Sequence, residues 1–302
     1  MSAATAWRVR LWGVVLVNLA TLAWASNAVL GRYLRDDIGP LTLAALRFCL
    51  ATALLLPLLR GLAPHERRLG NDRWWLVGMA LSGVVGFSPL LYWGLHHSTA
   101  VNSSLIQGFS PLITGLVAGW LIAEPVSPRQ MLGAALGLIG VVGLICGGSL
   151  AYLLALSFNP GDLLFLASAI NWAVYSVCAR RVMRFRSAVS ATVVSNLLGL
   201  PLLVLGAAIE LPHAPPNLTP TTLLAIAHIC LVPTIVGYWS WNRAVQTLGA
   251  GGAMAFYNTL PLYGAILAAL ALGEGLGSST LVFGGLILAG GIWGTTGSGK
   301  SA

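Results

Sequence analysis

The chain has 302 residues, 57% of them hydrophobic and only 8% charged, with a mean hydropathy of +0.84. A soluble domain carries roughly a quarter charged residues, so this chain lacks the polar groups to cover a water-facing surface and reads as an integral membrane protein. Its formal net charge of +8 would suit an anionic partner, but the arginines cluster between apolar blocks, where they set orientation in a bilayer and leave no nucleic-acid footprint.

Arg8 and Arg10 precede an apolar run from Leu11 to about Leu30. Ala23 and Ala25 form an A-x-A like that of a signal-peptide cleavage site. The run continues past it, however, and has an internal counterpart, so the block is read as a retained span. After the loop Arg35-Asp36-Asp37, further blocks cover Leu41 to Leu59, Trp74 to His96, Ala100 to Ala123 and Met131 to Gly147. A Pro-Gly break at Pro160-Gly161 opens the second half. Its blocks cover Leu163 to Met183, Val189 to Ile209, Leu223 to Val245, Ala253 to Leu272 and Thr280 to Trp293. About 20 apolar residues are enough for a helix to cross roughly 30 Å of hydrocarbon. No block alternates as a membrane strand does. The expectation is an all-α membrane protein of ten spans, five in residues 1–150 and five in 151–302.

The halves repeat each other. Pro111 and Pro261, Glu124 and Glu274, Gly140 and Gly290 are each 150 positions apart, and Leu112, Ala118 and Leu136 meet Leu262, Ala268 and Leu286 at the same offset. Trp24, Ala25 and Arg32 likewise match Trp172, Ala173 and Arg180. Matching proline, glutamate and glycine in one register is the mark of an internal repeat. Because each unit holds an odd number of spans, the second is inverted relative to the first, an arrangement on which many secondary transporters are built.

Basic residues set the orientation. With the N-terminus inside, Arg8, Arg10, Arg60, Arg67, Arg68, Arg73, Arg129, Arg180, Arg181, Arg184, Arg186, Arg243 and Lys300 collect on the inner face. The outer face holds only Arg32 and Arg35, beside Asp36 and Asp37. Both termini are therefore expected in the cytoplasm of a cell with this protein in its plasma membrane.

The paired Pro111–Glu124–Gly140 and Pro261–Glu274–Gly290 sets, with Trp24 and Trp172, resemble the EamA-type members of the drug/metabolite transporter superfamily. The likeness covers essentially the whole chain, and the aromatic-rich interior is similar to that of bacterial exporters of aromatic and other neutral amino acids. It departs from a tidy repeat after the glutamates, where Pro125 and Pro128 face Gly275 and Gly277. The resemblance implies a central cavity lined by spans 1, 3, 4, 6, 8 and 9, with spans 5 and 10 peripheral.

Polar residues inside the blocks give candidates for the site. Ser88, Tyr92 and His96 lie one helical turn apart and meet Tyr238, Asn242 and Gln246 at the repeat offset; Ser104, Gln107 and Pro111 meet Met254, Tyr257 and Pro261. Spans 1 and 6 add Trp24, Asn27, Asn171, Trp172 and Tyr175. Polar groups in a bilayer are costly unless they face the bundle interior or a wet cavity. The candidate binding set is therefore Trp24, Asn27, Ser88, Tyr92, His96, Gln107, Trp172, Tyr175, Tyr238, Asn242, Tyr257 and Asn258. Trp7, Trp12, Trp74, Trp75 and Trp293 sit where interfacial aromatics belong. Arg47, inside the second block, is expected to pack against Asp162 or to snorkel outward, not to bind substrate. Pro111 and Pro261, taken as mid-helix, would each remove one backbone bond and kink spans 4 and 9, and with Glu124 and Glu274 they form the structural or gating set. Gly133, Gly137 and Gly140, with Gly284, Gly290 and Gly291, suit close helix packing, either within one chain or between two; monomer and homodimer both fit.

No carboxylate lies mid-span, so a proton relay built on carboxylates is not supported. Cys49, Cys146, Cys178 and Cys230 lie singly in apolar blocks, without metal-site or disulfide spacing. No metal and no cofactor are expected. Gly294 to Ser301 spells a P-loop pattern, but a P-loop lies between a strand and a helix, and here a membrane span precedes it. A membrane enzyme would need paired carboxylates, HExxH or GxSxG, and none occurs. The expected function is a secondary transporter exporting amino acids, aromatic or other neutral, or similar neutral or zwitterionic small metabolites, across the inner membrane by alternating access. An exporter of drugs or other metabolites is the alternative, and a channel the rival class.

Overall fold

The apolar blocks become helices, and a side-chain cap fixes the start of several of them. Ser127 accepts the Gln130 N–H and the Gln130 side chain bonds back; Asn159 and Asp162 make the corresponding pair. The Ser187 and Thr219 side chains accept from Ser190 and Thr222 N–H groups. Pro40, Pro128, Pro160 and Pro220 occupy first helical turns, where the missing N–H costs nothing. The computed structural model describes residues 3–124, 126–157, 159–272 and 278–296. Glu274, Gly275, Gly277 and most of the 294–301 pattern lie outside them.

Helix α1 spans Ala3–Tyr33, unbroken through Ala23 and Ala25. α2 spans Pro40–Leu55 and continues as a tight turn, Leu56–Gly61. α3 runs from Arg73–Met79 through a π-helical stretch, Ala80–Gly86, to Phe87–His97. α4 is in two pieces, Ala100–Gln107 and Ser110–Ile122. α5, α6 and α7 are Pro128–Cys146, Pro160–Val182 and Ala188–Glu210. α8 comprises Pro220–Ile229, a π-helical Cys230–Gly237 and the run Tyr238–Met254. That run bends at Gly249 (φ 78°, ψ 167°), where α9 begins; α9 resumes at Thr259–Leu272, and α10 is Ser278–Thr296. Nine stretches of the described residues are long and apolar enough to cross a bilayer, and the divided α9 makes the tenth crossing. The protein is an all-α membrane protein, ten helices in two inverted repeats of five. One face carries most arginines, including Arg60, Arg73, Arg180 and Arg243; the opposite face is poor in them.

The two prolines of the repeat do not sit mid-helix. Pro111 is the second residue of the second piece of α4, and Pro261 the third residue of the second piece of α9. In both the helix is already broken, at 108–109 and 255–258, and proline falls in the first turn of the second piece. The distortion is real, but it precedes proline instead of being centred on it. The π-helical stretches, Ala80–Gly86 and Cys230–Gly237, also recur at the repeat offset.

The glycine seam is internal. A Cβ on Gly133 would lie 2.5 Å from the Gly290 carbonyl oxygen, and one on Gly290 would lie 2.5 Å from that of Gly133. α5 and α10 therefore touch backbone to backbone. On the arginine-rich face, Arg186 holds Asp72 through two hydrogen bonds, Nε to Oδ2 at 2.5 Å and Nη2 to Oδ1 at 2.9 Å. It also donates to the Glu66 and Arg68 carbonyls, fastening the 62–72 loop to the start of α7.

Gly133→Val should lower the thermal unfolding midpoint in detergent, reflecting a cost of about 1–3 kcal/mol for overpacking. Gly264→Ala, where a Cβ would meet nothing within 4 Å, should leave the midpoint unchanged or raised. Equal midpoints for the two variants would show that the α5–α10 seam is looser than described.

Candidate functional site

The irregular backbone of α3 and α8 assembles the centre of the protein. Pro233 cannot donate to Ile229, and the Thr234 hydroxyl takes that carbonyl instead, at 2.7 Å. The Pro233 carbonyl, within the wide turn, accepts the Trp24 indole N–H at 3.0 Å. In α3 the Gly83 carbonyl accepts from Tyr238 Oη at 3.0 Å, and the Phe87 carbonyl from Ser168 Oγ at 3.3 Å. Gly83 is required here, because a Cβ would lie 2.1 Å from the Tyr175 ring.

Around these contacts six aromatic rings pack together. Trp172 meets Trp24 edge-on at 4.7 Å between centroids, stacks on Tyr175 at 5.0 Å, and lies 5.3 Å from Trp241 and 4.8 Å from Phe87. Tyr238 stands edge-on to it at 5.7 Å. Edge-on and offset rings at these spacings are favourable beyond the area they bury.

Beside this cluster, toward the arginine-poor face, lies a narrow cavity of about 60 Å³, lined by Trp24, Asn27, Ala28, Arg47, Phe87, Leu91, Leu95, Ser103, Ser104, Gln107, Tyr257 and Leu260. A wider groove shares Ala28, Ser104 and Leu260 with it and reaches Arg32 and Thr280, near the arginine-poor ends of α1 and α10. Toward the arginine-rich face the path is filled. Below the rings, Tyr175 donates to Asn242 Oδ1 at 2.9 Å, and Asn242 donates to Thr192 at 2.9 Å. Lower still, Arg180 Nε pairs with Glu124 at 3.4 Å, and Gln246 donates to the Met183 carbonyl.

Of the residues the sequence nominates, the structure brings Trp24, Asn27, Gln107 and Tyr257 to the cavity wall. Trp172, Tyr175, Tyr238 and Asn242 are fully buried behind it. Tyr92 reaches the wall indirectly, bonded to Asn27 Oδ1 at 2.8 Å. Ser88 is buried off the wall, and His96 is exposed at the end of α3. With its amide nitrogen toward α4, Asn258 donates to the Gly108 carbonyl at 3.2 Å and accepts from Leu138 N–H at 3.2 Å. It thereby ties the break in α9 to the break in α4.

Arg47 overturns its expectation. It neither snorkels nor meets Asp162, whose carboxylate is taken by Ser98, Asn102 and Asn159. Instead it is 1% exposed and lines the cavity. Its isolation from the carboxylates of the described residues depends on residues of α1, α3 and α8 that no reading of α2 alone reveals.

A polytopic helical bundle with inverted halves, broken helices at matching places and a cavity between the halves defines a membrane protein of the transporter type. The chain belongs to the EamA-like transporter family, which matches residues 11–146 and again 159–295. An uncharacterized transporter, YyaM of Bacillus subtilis, is 29% identical over 77% of this chain and 77% of its own. A probable amino-acid metabolite efflux pump of Salmonella typhimurium is 27% identical, covering 91% of this chain and 92% of its own. The aromatic amino acid exporter YddG of Ancylobacter novellus is 28% identical over 79% and 75%. A solved crystal structure, 22% identical, superposes on 99% of this chain and 100% of its own with a TM-score of 0.72, a likeness of fold.

Trp172 is fully enclosed by packed rings, so Trp172→Ala should cost about 3–5 kcal/mol of stability and appear first as a lower unfolding midpoint. Gln107→Leu, on the wall, should leave the midpoint near wild type and weaken a bound substrate about 2- to 10-fold. A Trp172→Ala protein of unchanged midpoint with altered affinity would move the site into the aromatic cluster.

Proposed function

We propose that this protein is a secondary transporter that exports amino acids, aromatic or otherwise neutral, or similar small metabolites, across the bacterial inner membrane by alternating access. The observation that carries the reading is the cavity itself. It joins ring faces from Trp24, Phe87 and Tyr257 to a few polar groups from Asn27, Ser104 and Gln107, the mixture that small-molecule sites use to hold an apolar body in one orientation. The cavity continues toward the arginine-poor face and is filled toward the arginine-rich one, as one end state of such a cycle requires. Likeness to a probable amino-acid metabolite efflux pump and to an aromatic amino acid exporter supports the substrate class. The arginine bias supports a cytoplasmic arginine-rich face, with both termini inside. In this reading residues 1–150 and 151–302 are the two moving halves. Pro111, Pro261, Glu124 and Glu274 serve the change of state; of these, Glu124 closes the arginine-rich side through Arg180.

Purified protein in liposomes should exchange labelled phenylalanine for unlabelled phenylalanine with saturation and without nucleotide. Conductance without saturation would make it a channel, and failure to exchange any neutral amino acid would remove this substrate class. Orientation is checked separately with single cysteines at the exposed Leu69 and Leu218. Leu69→Cys should react with an impermeant reagent only from the cytoplasm, and Leu218→Cys only from outside. The reverse pattern would invert the proposed direction.

A further inference from the structure

Arg47 brings a full positive charge into the span, and the described residues offer it only neutral partners. Its Nε donates to Thr234 Oγ1 at 2.8 Å, and its Nη1 donates to Tyr92 Oη at 2.6 Å and Asn27 Oδ1 at 3.3 Å. The Phe48 and Tyr92 rings lie 5.1 and 5.9 Å from its central carbon. A guanidinium has five N–H donors in a fixed fork. The three bonds account for the donors of Nε and Nη1, and Nη2 makes no hydrogen bond among the described residues. Ion pairs elsewhere in the described chain join Arg35, Arg180, Arg184 and Arg186 to carboxylates, and none reaches Arg47.

A buried cation without a counter-ion is costly in a bilayer and is retained for a reason. This one is a wall residue of the cavity, and no cavity-lining residue is acidic. Among the described residues the charge that Arg47 brings to the cavity wall is therefore uncompensated. Asn27, Tyr92 and Thr234 come from α1, α3 and α8, so the guanidinium is positioned by three helices in addition to its own. The Nη2 donors can give a carboxylate oxygen a charge-assisted hydrogen bond, and carboxylate is an anion that guanidinium meets well.

We infer that Arg47 is the carboxylate-binding residue of the cavity, and that the site takes an organic carboxylate with an apolar or aromatic body. This rests on the transport reading above for the cavity's role, and narrows it. The carboxylate carries the recognition and compensates the charge. An amino group is tolerated against the Trp24 and Tyr257 rings or the Gln107 amide oxygen but is not required, because no acidic side chain waits for it. A purely cationic amine is excluded by the charge of Arg47.

The test is a titration of the purified chain with phenylalanine, 3-phenylpropionate, 3-phenylpropionamide and phenethylamine, followed by intrinsic tryptophan fluorescence and by the shift in unfolding midpoint. The propionate and its amide have nearly the same shape and differ in charge. The wild type should bind phenylalanine and 3-phenylpropionate, and bind the amide and the amine about 10- to 100-fold more weakly, the worth of a hydrogen bond to a charged group. Arg47→Gln should bind propionate and amide alike, and Arg47→Lys should fall between. Arg35→Gln, at the surface, should match wild type. Where Arg47→Gln does not fold, the propionate-to-amide ratio of the wild type decides alone. A wild type indifferent to that charge, or an Arg47→Gln protein that keeps the preference, overturns the assignment. Binding of propionate without phenylalanine keeps Arg47 and removes the amino-acid reading. Phenylalanine binding untouched by Arg47→Gln does the opposite, and no binding of either acid removes both.

Discussion

Inside hydrocarbon there is no water to satisfy a backbone polar group, and that constraint governs every departure from regular helix in this protein. Four of the ten helices depart from it, α3 and α8 by π-helical turns, α4 and α9 by breaks. Carbonyls in or beside the π-helical stretches accept side-chain donors from elsewhere in the bundle. Trp24 of α1 takes Pro233, Tyr238 of α8 takes Gly83, and Ser168 of α6 takes Phe87. Each of these bonds joins two helices, so the irregular backbone and the interior packing are one system.

Much of the architecture is legible in the sequence because it rests on local signals. Blocks of apolar length, caps of the Ser127–Gln130 and Asn159–Asp162 kind, and the shared offset of Pro111 and Pro261 are properties of short stretches. The prolines locate the broken helices to within three residues. They mislead about the form of the break, because a proline in a first turn and a proline in a mid-helix kink look alike without the hydrogen bonds. The π-helical turn of α8 has a signal in Pro233. That of α3 has no proline within it, and only its place opposite α8 in the repeat points to it.

The site is less legible, since it depends on which face of each helix meets which neighbour. The stripe of Ser88, Tyr92 and His96 is a correct reading of helical period, yet its three members have three environments. Ser88 is sealed in the core, Tyr92 braces Arg47, and His96 has run off the end of α3 to the surface. Polar content alone likewise cannot separate a wall residue such as Gln107 from a packed one such as Asn242, which is hydrogen-bonded to Tyr175 and Thr192 behind the cavity. Arg47 escapes recognition for the converse reason. Seven residues into α2, it looks close enough to the surface to reach water, and only packing from three other helices denies it that route.

The closure of the arginine-rich side divides into two layers of very different weight. Glu124 and Arg180 retain 35% and 28% of their side-chain exposure, and pairs so open to water are worth about 1 kcal/mol or less. The rings of Trp24, Trp172, Tyr175, Tyr238 and Trp241 are buried, and fully burying even one large apolar side chain is worth about 1.5–3 kcal/mol. In the proposed cycle, opening this side is therefore a matter of repacking aromatics, with the ion pair only a marker of position. Repacking needs backbone that can turn without breaking new hydrogen bonds, and such backbone lies next to the rings. Gly249 already holds a conformation open to glycine alone. The breaks in α4 and α9, tied to each other through Asn258 and the Gly108 carbonyl, give both halves a joint at the same depth. Arg47 lines the same cavity as Gln107 and Tyr257 beside that joint, so a carboxylate bound to it would bear on α1, α2, α3 and α8 together and couple occupancy of the site to the halves that move in the proposed cycle.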